Sequence, residues 1–319
     1  MSDGIRNDDP GDRHPLHSND SRFAKQPHRK HFMTPNDSDR REYWRQQLEL
    51  GYDLVQQIAA WPVQECGEPF ENLPALAAQE GVPLVFSDSP IGPGLQRIHW
   101  IRASLARDVL QIARTVSRRG WILKIEDCYR TLSMQKTLGS RPEIFDAILQ
   151  KCLWETGGEL PDPAMLFRRC SVLVAIVPKV GTHMSGSAID ISVFRSSDGT
   201  EVWRGNPYLE MSERTPMRSP FVEPEFLANR LAITEILEEH GFMHFPYEFW
   251  HYNKGDALWH ILTGTPGAAK YGPVHWDAER NEVRPVEPSD QPLRPVEEIQ
   301  RELEAAVERA AAGKRPDNK

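Results

Sequence analysis

Gly181–Ser192 reads GTHMSGSAIDIS, and the aspartate inside it decides how the chain is read. Ala188, Ile189 and Ile191 make a strand-like run that continues to Phe194 as SAIDISVF. Asp190 interrupts that run with a charged residue that strands disfavour and that costs stability when buried unless a cation meets it. Just upstream, His183 is followed by the small-residue turn Met184-Ser185-Gly186-Ser187, which lets the chain bend back toward the strand.

The flanks predict alternating helices and strands. EYWRQQLELGYDLVQQIAAW from Glu42 has apolar residues at helical spacing, and SLARDVLQIARTVSRRG reads as a helix capped by Ser104 and ended by Gly120. WILKIED follows as a buried strand leading to Cys128-Tyr129-Arg130 and a short helix containing Gln135. Residues 141–178 read as largely helical, and PEFLANRLAITEILEEHGF as a helix with Pro224 near its start and Gly241 at its end. MHFPYEFWHYNKGD is aromatic and strand-like, with Pro246 marking an edge or a bulge. No internal repeat is visible.

Residues 1–40 are rich in Asp, Asn, Ser, Pro, Arg and His and predict a disordered tail, in which His28 and His31 sit beside Arg29 and Lys30 and make a poor metal site. Residues 41–275 form the expected main domain, and 276–319 a linker ending in a charged helix that packs on the body or on another subunit. Four cysteines without a CxxC pair predict reduced packing residues, not a disulfide framework or a thiolate zinc site. The net charge of −8 argues against general nucleic-acid binding. With no apolar run of roughly 18–20 residues and no signal-like apolar centre near the N-terminus, the expectation is a cytoplasmic protein that does not enter a membrane. Its oligomeric state is left open.

Three features carry chemistry: His183 with Asp190, Glu248 with His251 three residues on, and Arg130 after a buried strand. Two imidazoles and a carboxylate are a ligand set for a catalytic zinc with an open position, and the ion would answer the charge of Asp190. Spacing alone leaves the bland readings open: a histidine near a turn is commonly exposed or hydrogen-bonded, and an aspartate on a strand commonly caps or lies at an edge. His244, Asp256 and His260 are rival ligands, and Tyr129 and Gln135 are candidate supports for Arg130. Glu248 and His251 share a face on a helix but point oppositely on a regular strand, so a bulge or strand end is required.

HMSGSAID together with EFWHY and CYR resembles the zinc D-Ala-D-Ala metallopeptidases, above all the D-alanyl-D-alanine dipeptidases, whose pattern is His-x-x-Gly-x-Ala-x-Asp followed by Glu-x-x-His. The resemblance is strongest over residues 95–265. It implies an α+β fold, a small mainly antiparallel sheet packed with helices, here extended by extra helices and polar tails. It implies one zinc per chain on His183, Asp190 and His251, with Glu248 as general base, Arg130 near the scissile carbonyl, and Gly186 and Ala188 at small positions. The implied reaction is hydrolysis of D-Ala-D-Ala or a related small peptide substrate by metal-activated water.

Departures from the pattern bear on the substrate. Gly181 stands where the family has a serine. The acid expected after an aromatic in the loop beyond the Asp190 strand is displaced in PYLEMSER, where Tyr208 is followed by Leu209. Glu210 and Glu213 are then the candidates for an amino terminus, with Tyr208 and Trp250 as further substrate contacts. A D,D-carboxypeptidase acting on cell-wall peptides and a zinc-stabilised binding module without catalysis are the alternatives.

Overall fold

Ile189, Ile191 and Val193 alternate with Ala188, Asp190 and Ser192 along their strand, so the two sets face opposite sides of the sheet. Both sets are buried. The isoleucine–valine face joins an apolar cluster with Val109, Ile112, Ile233 and Ile236 from two helices, leaving the face of Asp190 for chemistry.

The computed structural model describes residues 36–313; the segment carrying His28 and His31, and the last six residues, lie outside the described residues. In chain order the helices are α1 (Asp37–Ala60), α2 (Leu73–Gln79), α3 (Ala103–Arg118), α4 (Leu132–Gly139), α5 (Pro142–Glu155), α6 (Pro163–Leu173), α7 (Pro224–Glu239), α8 (Ala257–Thr263) and α9 (Val296–Gly313). The strands are β1 (Phe70–Asn72), β2 (Leu84–Phe86), β3 (Trp100–Arg102), β4 (Trp121–Asp127), β5 (Ala188–Arg195), β6 (Met243–His244), β7 (His251–Asn253), β8 (Val274–Asp277) and β9 (Glu282–Pro285).

The main sheet has the order β2-β4-β5-β7-β6, with β2 parallel to β4 and the other neighbours antiparallel. This is the expected α+β class. Helices α3 and α7 cover the apolar face. On another side α1 packs Trp44, Leu48 and Ile58 against Val172, Phe245 and Leu258. A third cluster joins Phe145 and Ile148 of α5 and Leu166 of α6 to Ile299 and Leu303 of α9, so the charged C-terminal helix packs on its own chain.

Three local expectations change in the folded chain. Helix α3 begins one residue before Ser104, and its N-terminus is met by Glu68, whose carboxylate accepts from the Ser104 amide at 2.5 Å; the Ser104 hydroxyl faces Tyr271 instead. The aromatic tract from Met243 is two short strands, β6 and β7, joined by a turn that contains Pro246 and Glu248. The stretch read as a linker from 276 holds most of the β8–β9 hairpin, whose Val274 and Trp276 pack with Phe70 and Tyr129. The two-residue β6 and three-residue β7 lie below the length at which alternation shows in a sequence, and the four-residue β8 and β9 are at its lower limit, which is why the hairpins were not legible.

One glycine fixes the approach to β5. Gly186 closes the 3-10 turn Thr182–Ser185 with φ +69°, a left-handed conformation, and a Cβ there would lie 2.2 Å from the Phe70 ring. Both the backbone sign and the close approach require glycine. Arg102, fully buried and paired with Glu65 at 3.0 Å, donates through Nε to the Ser185 carbonyl at 2.6 Å and holds the same turn in place.

Candidate active site

Register across the sheet assembles the site. Asp127 on β4 is opposite Asp190 on β5, and Asp190 is opposite His251 on β7. Two carboxylates side by side on neighbouring strands repel each other, so the row is tolerable only with cations against it. Arg130, three residues past the end of the β4 row, answers both: its Nε donates to Asp127 at 2.7 Å and its NH2 lies 3.8 Å from Asp190. Arg97 adds a second cation 3.6 Å from Asp127. Burial works against the charge of Arg130, yet Asp127 and Asp190 hold its pKa above the ordinary arginine value.

His183 reaches the row from the 3-10 turn. Its Nδ1 is 2.5 Å from the Cys128 carbonyl, which can only accept, so Nδ1 carries a proton and Nε2 is the nitrogen turned toward the site. That Nε2 lies 3.2 Å from Asp190 Oδ1. His251 places Nδ1 2.9 Å from the same oxygen and Nε2 2.7 Å from the Thr182 hydroxyl. Burial opposes ionisation of Asp190, but the charges and hydrogen bonds of His183 and His251 outweigh it and hold the carboxyl well below the usual aspartate range.

Nε2 of His183 and Oδ1 of Asp190 face each other across 3.2 Å, a gap that a cation or a proton bridges. One candidate atom from each of His183, Asp190 and His251 lies within 4.8 Å of the other two, and all three residues are buried. Ligands at 2.0–2.2 Å in tetrahedral array sit about 3.3 Å apart, so the donor set fits a divalent ion. Each imidazole also has the outer partner that orients a metal ligand: Cys128 O for His183 and Thr182 Oγ1 for His251. Replacing Thr182 by valine keeps the shape and removes this partner; metal affinity is expected to fall about 10–100-fold, measured by competition with a chromogenic chelator, with the fold unchanged by circular dichroism.

Glu248 sits in the β6–β7 turn, where its amide bonds the Phe245 carbonyl and its carbonyl accepts from His251. The turn lets both side chains meet on one side, and Glu248 Oε2 comes within 4.0 Å of His251 Nδ1. Its side chain keeps 25% of its surface, on the cavity it lines, while protein encloses the rest. That desolvation is the largest influence and, offset in part by His251, raises its pKa to about 7.

The other candidates fall in different places. Tyr208 donates to Asp190 Oδ2 at 2.9 Å and packs edge-on against Trp250, so it holds the carboxylate. Trp250 lines the cavity. Glu213 is buried in an ion pair with Arg40 of α1, with Nε donating at 2.9 Å, and Glu210 is exposed; neither lines the cavity. His244 pairs with Glu238, His260 bonds the Thr265 carbonyl, and Asp256 caps α8 and accepts from Ser187 and Asn253. Gln135 accepts weakly from Arg130 at 3.4 Å, whereas Tyr129 donates to Val274 and supports the β8–β9 hairpin. Asp127 and Thr182 were not singled out from the sequence. Asp127 carried a signal akin to that of Asp190, an acid on a buried strand, here at its end; Thr182 carried none, because its partner is 69 residues away.

Residues 162–265 match a family model described as D-Ala-D-Ala dipeptidase. This region of the chain is similar to that peptidase family. It contains His183, Asp190, Glu248 and His251, and Arg130 lies upstream of it. The chain is 22% identical over 218 residues to a D-alanyl-D-alanine dipeptidase of Synechocystis, an alignment covering 63% of this chain and 87% of that one. It is 29% identical over 132 residues to the D-alanyl-D-alanine dipeptidase of Escherichia coli, covering 40% and 62%, and 32% identical over 76 residues to that of Enterococcus faecium, covering 24% and 38%. These similarities mark the chain as a metallopeptidase similar to the D-alanyl-D-alanine dipeptidases. Among the described residues no helix is long and apolar enough to cross a membrane.

Proposed function

We propose that this protein hydrolyses the peptide bond of D-Ala-D-Ala or a related small dipeptide, with a zinc ion held by His183, Asp190 and His251. The observation that carries this reading is the buried cluster of His183, Asp190 and His251, with Nε2 of His183 3.2 Å from Asp190 Oδ1 and the Glu248 carboxylate beside His251. When bound, the ion supplies Lewis acidity, polarising the scissile carbonyl and bringing the pKa of water from 15.7 toward about 7.

The remaining steps belong to the chain. Glu248 accepts the proton of the attacking water and returns it to the leaving amine nitrogen as the C–N bond breaks, so no covalent enzyme intermediate forms. Arg130, a permanent cation lining the same cavity, donates to the oxyanion that develops on the former carbonyl oxygen. Asp127 and Gln135 keep its guanidinium turned inward. Tyr208 donates to Asp190 and is backed by Trp250, which lines the cavity. A purely structural metal would need neither a carboxylate base nor an arginine in the cavity, which favours catalysis over a binding module.

The test is metal analysis followed by hydrolysis of D-Ala-D-Ala, L-Ala-L-Ala and N-acetyl-D-Ala-D-Ala. Release of D-alanine is expected, lost after chelation and restored by stoichiometric zinc. Protein that binds zinc and cleaves none of the three is a binding module.

A further inference from the structure

The cavity that opens onto the site has a volume of about 280 Å³ and divides into two chemically different parts. At one end stand Arg130, His183, Asp190, Glu248 and His251. Away from them the lining is mainly apolar and uncharged, with Trp44 and Leu48 from α1, Val172 and Leu173 from α6, and Leu209 and Met211 from the loop after β5, broken by the neutral polar side chains of Gln47 and Thr215. Asp190 and Glu248 are the only carboxylates among the described lining residues, and both are committed, one to the histidine cluster and one to the proton-transfer position. The two acids of the nearby loop are spent elsewhere: Glu213 on Arg40 and Glu210 toward solvent.

A free ammonium entering the apolar part would lose its hydration and gain no counter-ion, a cost that apolar contacts do not offset. An uncharged apolar group gains on the same walls. The end with the ion, Arg130 and two carboxylates keeps a net positive charge and suits the substrate's free carboxylate.

We propose that the preferred substrate carries an apolar acyl group on its amino end, an N-acyl dipeptide with a free carboxylate, in place of a dipeptide with a free ammonium. This rests on the hydrolytic reading above and names the substrate class of the same site. Leu209 provides the means to reverse it. It lines the cavity, is 45% exposed and has φ +66°, a conformation aspartate tolerates better than leucine, so Leu209→Asp adds a carboxylate at the rim with little loss of packing.

The experiment compares kcat/KM of the zinc-loaded protein for D-Ala-D-Ala, N-acetyl-D-Ala-D-Ala, N-hexanoyl-D-Ala-D-Ala and N-acetyl-Lys-D-Ala-D-Ala. Each methylene that enters the cavity is worth roughly fourfold, so the hexanoyl compound is expected to exceed the free dipeptide by at least about tenfold, with the acetyl compound between them. Leu209→Asp is expected to narrow that gap about tenfold, chiefly by improving the free dipeptide. Equal or better cleavage of the free dipeptide, or of the lysyl peptide relative to the hexanoyl one, overturns the proposal. If nothing is cleaved, the hydrolytic reading fails. Dissociation constants for Glu248→Gln from tryptophan fluorescence then decide the substrate class: tenfold tighter binding of the hexanoyl compound sustains it, and equal binding overturns it.

Discussion

Replacing Glu248 by glutamine is expected to lower kcat by about 10²–10⁴-fold, the usual contribution of a positioned general base, with the metal content unchanged from that of the parent protein. The two side chains have nearly the same shape, and Glu248 donates no ligand atom to the cluster of His183, Asp190 and His251. Its surroundings suit it to proton transfer, because the protein encloses it on all sides except the cavity and its pKa rises to about 7, between that of a surface carboxylate and that of the amine it must serve. The glutamine amide can still accept a hydrogen bond from water but cannot take its proton. Steady-state kinetics with metal analysis on the same sample checks this. A variant with unaltered kcat would remove Glu248 from the chemistry and leave the cluster as a metal site without its base.

The second large effect is at Asp190. Asp190→Asn is expected to reduce bound metal to less than about a tenth of an equivalent after dialysis and to take hydrolysis below detection, a greater loss than the 10–100-fold typical of outer partners such as Thr182. The amide is a poorer ligand than the carboxylate, and the substitution removes the negative charge that His183, His251, Tyr208 and Arg130 all face. Arg130 keeps Asp127 at 2.7 Å, so the guanidinium is not stranded and the fold is expected to survive. Elemental analysis alongside a urea unfolding curve separates loss of the ion from loss of structure. Stoichiometric metal in a folded Asp190→Asn variant would exclude this carboxylate as a ligand.

Much of the fold was legible because its long elements are amphipathic. The helices now labelled α1 and α3 show their buried stripe at helical spacing, α7 was marked by Pro224 and Gly241 at its ends, and β5 shows Ile189, Ile191 and Val193 alternating with Ala188, Asp190 and Ser192. Short elements were not legible. β6 has two residues and β7 three, and what makes them strands is pairing with each other and with β5, not any pattern of their own. For the same reason the geometry of Glu248 and His251 stayed ambiguous until the β6–β7 turn was seen to bring both side chains to one side.

The sequence by itself determined the chemical inventory: an aspartate that no apolar strand keeps without a cation, two histidines and a glutamate in family spacing, and an arginine after a buried strand. Those follow from the cost of burying charge, which can be judged residue by residue. The tertiary structure alone decided which atoms meet. Cross-strand register set Asp127, Asp190 and His251 in a row, the Cys128 carbonyl turned Nε2 of His183 toward the site, and α1 claimed Glu213 through Arg40. Such contacts join residues tens to hundreds of positions apart, so no local pattern encodes them; they arise only when the layers pack and each polar group takes the partner that packing leaves within reach.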